Sequence, residues 1–210
     1  MEYLSNQIAQ SLGIPVAWFN LLNYCGLRTF VTKNFISESK VASTLTHLNH
    51  YFSENEPYQY ESIIAIIYKQ TGKFKDVETF INMCLFDALI GNHDRHGRNV
   101  GLINTSRQCK LAPIYDNPSY LGLESGSMLR AQFSPSGRIE TFHNRNPVMK
   151  DYVMEFLRLG YESTLRRFAK RINLDIISGL VTGSSCSPSM KDAMLKLIRE
   201  RAEEMRHALL

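Results

Sequence analysis

Hydrophobic positions follow a helical spacing along most of the chain. Three apolar residues four apart predict an amphipathic helix over residues 2–12, which Gly13 is placed to end. Residues 62–70 are apolar nearly all round and 77–90 have a wide apolar face, as buried helices do. Further helices are predicted over residues 40–52, 148–159, 163–172 and 189–209. The charged residues of the last helix predict a solvated face: Arg199, Glu200, Arg201, Glu203, Glu204 and Arg206.

Two stretches, residues 16–36 and 100–115, instead combine β-branched and aromatic residues around a turn sequence, which predicts two hairpins. Their expected strands are residues 16–23, 27–36, 100–104 and 110–115. Residues 117–146 are rich in Gly, Ser, Asn and Pro, and predict a long loop that is either an activation or substrate-binding segment or a plain connection. The elements together predict an α+β fold that is mostly α-helical.

Composition limits the class of protein. A chain of 210 residues with 44% hydrophobic content can form one good core and possibly two subdomains. No apolar run is long enough to cross a bilayer, and the first residues do not form a signal peptide, so we expect a cytoplasmic protein. The four scattered cysteines fit reduced thiols, and the net charge of +4 favours neither a nucleic-acid surface nor a membrane anchor.

The sequence from Gly91 to Asn99, followed by Asp116, contains the polar groups that phosphoryl transfer needs. Asp94 and Asn99 are five residues apart, the separation of the acid and the metal-binding amide in the catalytic loop of protein kinases. Asp116 ends a second short apolar run, where a kinase has its second metal-binding acid. This pattern indicates a kinase active site.

The loop, Gly-Asn-His-Asp-Arg-His-Gly-Arg-Asn, resembles that of the HipA-like kinases, G-N-x-D-x-H-x-x-N, and Tyr115-Asp116 resembles their later Y-D step. The resemblance implies a protein-kinase-like large lobe, a helical bundle with short β-hairpins, that uses ATP and Mg²⁺. It implies that Asp94 is the base or hydroxyl-orienting acid, that Asn99 and Asp116 hold magnesium, and that His96 braces the loop.

The resemblance also extends to the start of the chain. Residues 31–36 are similar to the hinge that receives the adenine edge, so Lys33 and Phe35 are expected at the nucleotide through their backbone groups. Glu2 stands where such kinases have the acid that pairs with the nucleotide-binding lysine, although a first-turn Glu is equally expected to favour the helix dipole. Residues 1–36 are therefore expected to be the remnant of a small lobe and the hinge, and 37–210 the catalytic large lobe.

Family resemblance further implies a protein serine or threonine as acceptor, and a DNA-binding antitoxin or a small-lobe protein as possible partner. No direct nucleic-acid or membrane contact is expected. Two kinase features are missing from these 210 residues: no two glycines are separated by one residue, which excludes a G-x-G-x-x-G phosphate loop, and no strand lysine precedes Glu2. Lys33 follows the first helix, where the family's lysine would precede it.

Each lost phosphate-stabilising donor is worth about 3–4 kcal/mol, or roughly 10²–10³ in rate, so the isolated chain is expected to be nearly inert. It is then a fragment of a longer reading frame, one part of a split kinase, or a degenerate relative. Two other classes remain open. His93, Asp94, His96 and Asp116 allow a metallohydrolase site, and a non-enzymatic chain would be a nucleotide- or partner-binding module of a toxin–antitoxin or regulatory assembly.

Overall fold

The computed structural model describes residues 1–36, 41–53, 56, 58–119 and 137–210, and helices make up about half of these residues. This agrees with the predicted fold class. No described helix is both long enough and apolar enough to cross a bilayer. In these ranges the α-helices are α1 (Glu2–Ser11), α2 (Tyr60–Thr71), α3 (Phe74–Ile90), α4 (Met149–Arg158), α5 (Glu162–Arg171), α6 (Leu174–Gly183) and α7 (Pro188–Ala208).

Helix α3 is the centre of the hydrophobic core. Its residues are buried almost continuously from Phe80 to Ile90, and it packs against α2, α4, α5 and α7. Tyr60 of α2 adds edge-on ring contacts to Tyr152 and Phe156 of α4, with centroids 5.3 and 5.1 Å apart. The carboxyl end of α3 is therefore held from several sides, and the segment that follows it starts from a rigid support.

Two small antiparallel sheets accompany the helices. The first is the hairpin of β1 (Phe19–Tyr24) and β2 (Leu27–Thr32), whose turn residues Cys25 and Gly26 both have positive φ, as a two-residue hairpin turn requires. The second sheet has the order β3 (Ser43–His47), β4 (Gly101–Thr105) and β5 (Cys109–Leu111). Beyond β5, Ile114 forms an isolated parallel bridge with Val16. Both predicted hairpins are present, with shorter strands.

The prediction of a polar helix over residues 40–52 was wrong. Residues 43–47 form strand β3, and Leu48–Tyr51 form one turn of 3-10 helix. Strand β3 pairs along its length with β4, and Leu45 packs where a side chain on Gly101 would otherwise stand. Pairing with a strand more than 50 positions away thus decides the conformation, and local propensity does not reveal it.

Helix α6 was not predicted from the sequence, and Arg201 was wrongly expected on a solvated face. The side chain of Asn173 accepts hydrogen bonds from the N–H groups of Asp175 and Ile176 and so caps α6. In α7, Arg201 is 1% exposed and pairs with Glu204 (3.1 Å), so it does not belong to the solvated face expected there.

The described ends of the predicted long loop are both bonded to the rest of the protein. Residues 120–136 lie outside the described residues. Before them, Asn117 and Ser119 are fully buried, and Ser119 Oγ donates to the Ile90 carbonyl (2.7 Å) at the end of α3. After them, Glu140 forms a parallel bridge with Gln59.

Candidate active site

The candidate catalytic loop, residues 91–99, begins where α3 ends. Gly91 adopts a left-handed conformation (φ 69°) that favours glycine, and it terminates the helix. The Asn92 N–H then donates to the Asp87 carbonyl (2.9 Å), and the Asn92 amide donates to the Asp87 carboxylate (2.8 Å). The first residues of the loop are therefore fixed to a buried helix.

One buried side chain, Arg95, joins this loop to the segment that carries Asp116. Its Nε and Nη2 donate to the two carboxylate oxygens of Asp87 at 2.7 and 2.9 Å. Its Nη1 donates to the carbonyl oxygens of Asn99 (3.0 Å) and Tyr115 (2.9 Å). The backbone at Asn99 and the backbone next to Asp116 are thus hydrogen-bonded to the same nitrogen atom.

The charge of Arg95 is compensated inside the protein. Burial alone would lower the pKa of its guanidinium, but the neighbouring Asp87 carboxylate outweighs burial and raises the pKa above the usual value. A charge-assisted, two-point pair of this kind is strong and directional. Arg95 therefore acts as a fixed connector in the interior.

The network continues to helix α1. Arg95 Nη2 also donates to Asn117 Oδ1, and Asn117 Nδ2 donates to Asn6 Oδ1 on α1 (2.8 Å). All three side chains are buried. Because buried polar groups are costly to leave unpaired, this chain of bonds fixes the position of α1 relative to the loop.

The carboxylate of Asp94, in the catalytic loop, remains accessible to solvent. Its N–H donates to Asn92 Oδ1 (3.0 Å), which orients the backbone, while 42% of its side chain is exposed. Arg138 Nη2 lies 3.6 Å from Asp94 Oδ1. The carboxylate therefore faces a position open to solvent and next to a cation.

Asn99 lies buried at the end of the loop. Its Nδ2 donates to the Asp94 carbonyl (3.1 Å), which joins the first and last polar residues of the motif. Among the described residues none donates to Asn99 Oδ1, so the amide oxygen is left as a possible ligand atom. The sequence spacing of five residues is what makes this contact within the loop possible.

Asp116 has a left-handed backbone (φ 53°), which is uncommon for a residue other than glycine, and its side chain is exposed. Its carboxylate lies close to that of Glu2 at the start of α1. Burial raises the pKa of Glu2, Asp116 raises it further, and hydrogen bonding from the N–H groups of Asn117 and Asp116 opposes the shift. A cation bound next to these two acids would reduce the repulsion between their carboxylates.

Asn99 and Asp116 each offer donor atoms of a kind that suits magnesium. Asn99 Oδ1 and the Asp116 carboxylate are hard oxygen ligands, the kind that Mg²⁺ prefers. By contrast, no three His, Cys, Asp or Glu side chains converge on a metal position anywhere in the described ranges. The metallohydrolase hypothesis requires a shared metal position for His93, Asp94, His96 and Asp116. These side chains do not form such a zinc site in the described ranges.

Contacts within and around the loop hold its middle part. His96 Nδ1 accepts from the Arg98 N–H (3.2 Å), and the Asn49 N–H donates to the Gly97 carbonyl (3.1 Å). A Cβ atom on Gly97 would lie only 2.9 Å from Asn49 Cβ, so the two segments touch where glycine leaves room. Gly97 thus permits the loop to pack against the 3-10 turn.

The two predicted nucleotide contacts, Lys33 and Phe35, are placed differently. Lys33 lies against Trp18, with Nζ 5.1 Å from the ring centroid, and its N–H donates to the Trp18 carbonyl (3.0 Å). The Phe35 ring packs against Tyr115 at 5.7 Å between centroids, next to Asp116. The structure thus brings Phe35 to the candidate site, while the backbone N–H of Lys33 is already used.

Burial also affects Tyr115, which lies between Phe35 and the loop. It raises the pKa of the Tyr115 hydroxyl to about 12, against a small opposing effect of Arg95. The hydroxyl donates to the Arg98 carbonyl (3.3 Å) and lies 3.1 Å from His47 Nδ1. Tyr115 is therefore a neutral bracing residue.

Sequence reasoning missed Arg95, Asn117 and Arg138. Arg95 lies inside the motif and was treated as one of its variable positions, yet an Arg eight residues after Asp87 at a helix end was the available signal. Asn117 directly follows Asp116 and could have been noted as an amide beside it. No sequence signal marks Arg138, because it reaches Asp94 only through the fold.

A family comparison decides the assignment. The model of the HipA-like C-terminal domain matches residues 1–181. The chain belongs to this family. The resemblance seen in the loop and in the Tyr-Asp step is thereby confirmed. No curated protein matches the chain significantly by sequence.

Two solved structures are similar to the chain in fold. The Helicobacter pylori proinflammatory kinase CtkA is similar with a TM-score of 0.80 and 20% identity, over 99% of this chain and 84% of CtkA. HipA of Shewanella oneidensis MR-1, from a toxin–antitoxin complex with HipB and operator DNA, is similar with a TM-score of 0.63 and 14% identity. The match covers 99% of this chain but only 54% of HipA. At these identities the likeness establishes the fold alone.

Proposed function

We propose that this chain is the catalytic part of a HipA-like serine/threonine protein kinase, which transfers the γ-phosphoryl group of ATP to a protein hydroxyl. The observation that carries the proposal is the bonding of Arg95 to both the Asn99 and the Tyr115 carbonyls. It holds together the two segments whose side chains would meet the phosphates, and Asp94 stays exposed beside them.

Asp94 would orient the attacking hydroxyl and accept its proton. Phosphoryl transfer needs this positioning more than it needs covalent chemistry. The hydrogen bond from the Asn99 amide to the Asp94 carbonyl and the bond from the Asp94 N–H to Asn92 fix the backbone that presents the carboxylate. His96 would stabilise the same loop through its bond with the Arg98 N–H.

Asn99 and Asp116 would hold Mg²⁺, which would neutralise negative charge on the phosphates of ATP. Asn99 offers Oδ1 because Nδ2 is committed to Asp94. Asp116 offers an exposed carboxylate on a residue with a left-handed backbone. Glu2, close to Asp116, adds negative charge that favours a cation there.

Arg138 would assist as a cation for the transferred phosphoryl group. Its backbone is fixed on both sides, since the Gly137 N–H donates to the Pro147 carbonyl (2.8 Å) and Ile139 is buried. Its pairing with Asp94 is between exposed groups and contributes about 1 kcal/mol or less. Arg138 can therefore exchange Asp94 for a phosphate oxygen at little cost.

Adenine would lie near Phe35, with the backbone of the 31–36 segment as its hinge. We assign residues 1–36 to the end of a small lobe and the hinge, and 37–210 to the large lobe. A G-x-G-x-x-G loop and a strand lysine, not found in these 210 residues, would come from a small lobe, in the same reading frame or on a partner. Without them, phosphate stabilisation is incomplete.

The acceptor and the partner that we propose are of the kind that the family suggests. The acceptor would be a protein, and a DNA-binding antitoxin is a candidate partner, as HipB is for HipA in the Shewanella complex. All four cysteines are free thiols, which supports a reducing compartment and hence the cytoplasm.

A second candidate, a nucleotide- or partner-binding module without transfer, rests on the missing phosphate loop. It shares the Mg²⁺–ATP site and lacks turnover. The two functions differ in one measurement, the transfer of labelled phosphate to protein.

The experiment compares the chain alone with the chain supplied with a HipA-type small lobe, by fusion or as a separate protein. Transfer of radiolabelled γ-phosphate is followed to serine- and threonine-containing proteins and to the chain itself. The chain alone should be barely active, and addition of the small lobe should raise transfer by several orders of magnitude, at roughly 10²–10³ per restored donor.

Asp94→Asn and Asp116→Asn should each abolish transfer in the supplemented form. The first removes the orienting carboxylate and the second weakens Mg²⁺ binding. If the supplemented form transfers no phosphate while Mg²⁺–ATP still binds, the kinase proposal fails and the binding module remains.

A further inference from the structure

A second concave site lies on the α3 and α5 side of the molecule. A cavity of about 560 Å³ is bounded by the first half of α3, by α5 and by the segment after α1. Its polar lining includes Lys75, Glu78, Asn82, Arg167, Lys170 and Arg171. Asn82 precedes the end of α3 by eight residues, about 12 Å along a helix, and no residue of the catalytic loop lines the cavity.

The lining is strongly cationic. Four basic side chains face it against one carboxylate, Glu78, which already pairs with Arg167 and accepts from the Thr164 hydroxyl (3.1 Å). Lys75 and Lys170 form no ion pair among the described residues. The cavity therefore has excess positive charge that the protein itself does not neutralise.

The hydrogen bonds of Arg171, in the wall of this cavity, are incomplete. Its Nη2 donates to Asn82 Oδ1 (2.9 Å), but its Nε is buried without a hydrogen-bond acceptor in the part of the chain that is described. Burial lowers the pKa of Arg171, the like charge of Arg167 lowers it further, and Glu78 opposes both effects. A buried donor that lacks an acceptor is costly, so the hydrogen bonding of the Arg171 guanidinium at the cavity wall is incomplete.

We propose that this cavity binds a small phosphate-bearing polyanion of the oligophosphate class. Its volume falls in the range of small-ligand pockets, about 300–1,000 Å³. The two arginines add guanidinium N–H groups, which bond well to phosphate oxygens, and the two exposed lysines add charge. The concave shape favours a small molecule over an extended polymer.

The site adjoins the backbone that leads to Asp116. Pro15, in the cavity wall, accepts from the Ile114 N–H (2.8 Å), and the Ala17 N–H donates to the Ile114 carbonyl (2.9 Å). Ile114 lies two residues before Asp116. The cavity is thus distinct from the candidate active site yet is separated from its second acid by one hydrogen-bonded segment. The proposal does not depend on phosphotransfer.

The test is calorimetric titration with tripolyphosphate at physiological salt and without Mg²⁺, so that the candidate active site does not contribute. The informative variant is Lys75→Gln/Lys170→Gln, because both lysines are exposed and their loss unpairs no acid. The matched control is Lys69→Gln/Lys150→Gln, which removes the same charge from α2 and α4. Thermal unfolding checks that all three proteins are folded.

We expect saturable binding near one tripolyphosphate per chain. Affinity should fall tenfold or more in the cavity variant, because two cationic hydrogen-bond donors to phosphate are lost, and should change little in the control. The proposal is overturned by no saturable binding, by equal losses in both variants, or by a short DNA duplex that binds the same lysines more tightly than tripolyphosphate.

Discussion

The guanidinium of Arg95 makes bonds to four residues in the interior: Asp87, Asn99, Tyr115 and Asn117. Replacing Arg95 by Ala should lower the free energy of unfolding by about 3–5 kcal/mol, because Asp87 is left as a buried, unpaired charge. Urea unfolding monitored by circular dichroism measures this loss.

Arg107 provides the control for that substitution. It is exposed in the turn between β4 and β5, so Arg107→Ala should change stability by less than about 0.5 kcal/mol. A similar small change for Arg95→Ala would show that the buried network does not hold the two segments. Restoration of stability by an additional Asp87→Ala change would identify the unpaired acid as the cause.

Glu2 is predicted to weaken folding at neutral pH. A carboxyl whose pKa is raised in the folded state contributes stability below its ordinary pKa of 4.5, and this contribution is lost as the pH rises through the folded-state pKa. Glu2→Gln should therefore melt at a higher temperature than the wild type at pH 7. Below pH 4.5 the difference should disappear.

Thermal melts of both proteins across this pH range provide the measurement. Exposed Glu203→Gln is the matched control and should show no such pH-dependent gain. A lower melting temperature of Glu2→Gln at pH 7 would mean that attraction from the Asp116 and Asn117 N–H groups and the helix dipole exceeds the cost of burial.

At the scale of elements, the catalytic loop depends on its close contact with the 3-10 turn at Leu48–Tyr51. Gly97→Ala would place a Cβ 2.9 Å from Asn49 Cβ and 3.0 Å from its backbone nitrogen. Forced separation of packed segments costs about 1–3 kcal/mol. We expect this loss in urea unfolding, with weaker Mg²⁺–ATP binding because Asn99 shifts with the loop.

Gly179 in α6 is the natural comparison, since nothing lies within 4 Å of a Cβ there. Gly179→Ala should stabilise the protein by about 0.5–1 kcal/mol, as alanine does in a helix. If Gly97→Ala is equally harmless, the loop does not require that close approach.

These elements also show what the sequence can and cannot reveal. The helices with regular apolar spacing, such as α1 and α3, were predictable because their pattern is local. Strand β3 was not, because it depends on β4, and α6 was hidden by Gly179 and Gly183, which resemble turn residues. Local periodicity carries no information on such distant pairing.

The same distinction applies to the candidate site. Asp94, Asn99 and Asp116 could be singled out because their chemistry requires a fixed spacing in one stretch of chain. Arg138 is far from Asp94 in the sequence, and only the folded chain brings the two side chains together. The spacing from Asp87 to Arg95 was a signal in the sequence, but the spacing alone does not show that the two side chains face each other in the interior.

For the molecule as a whole, we propose that Asn99 and Asp116 form a magnesium–nucleotide site next to Asp94. Helix α1 takes part through Asn6 and Glu2, and α3 supports the loop, so the site depends on the packing of the entire body. Binding of Mg²⁺–ATP tests this claim without knowledge of the acceptor protein.

The decisive measurement is isothermal titration calorimetry of the chain with ATP, with and without Mg²⁺, on the wild type, Asp116→Asn and the charge-matched control Asp192→Asn. We expect weak binding that requires Mg²⁺, falls at least about tenfold in Asp116→Asn through loss of a charged ligand, and is unchanged in Asp192→Asn. Absence of ATP binding, or ATP binding that is unaffected by both Mg²⁺ and Asp116→Asn, would rule out the proposed magnesium–nucleotide site.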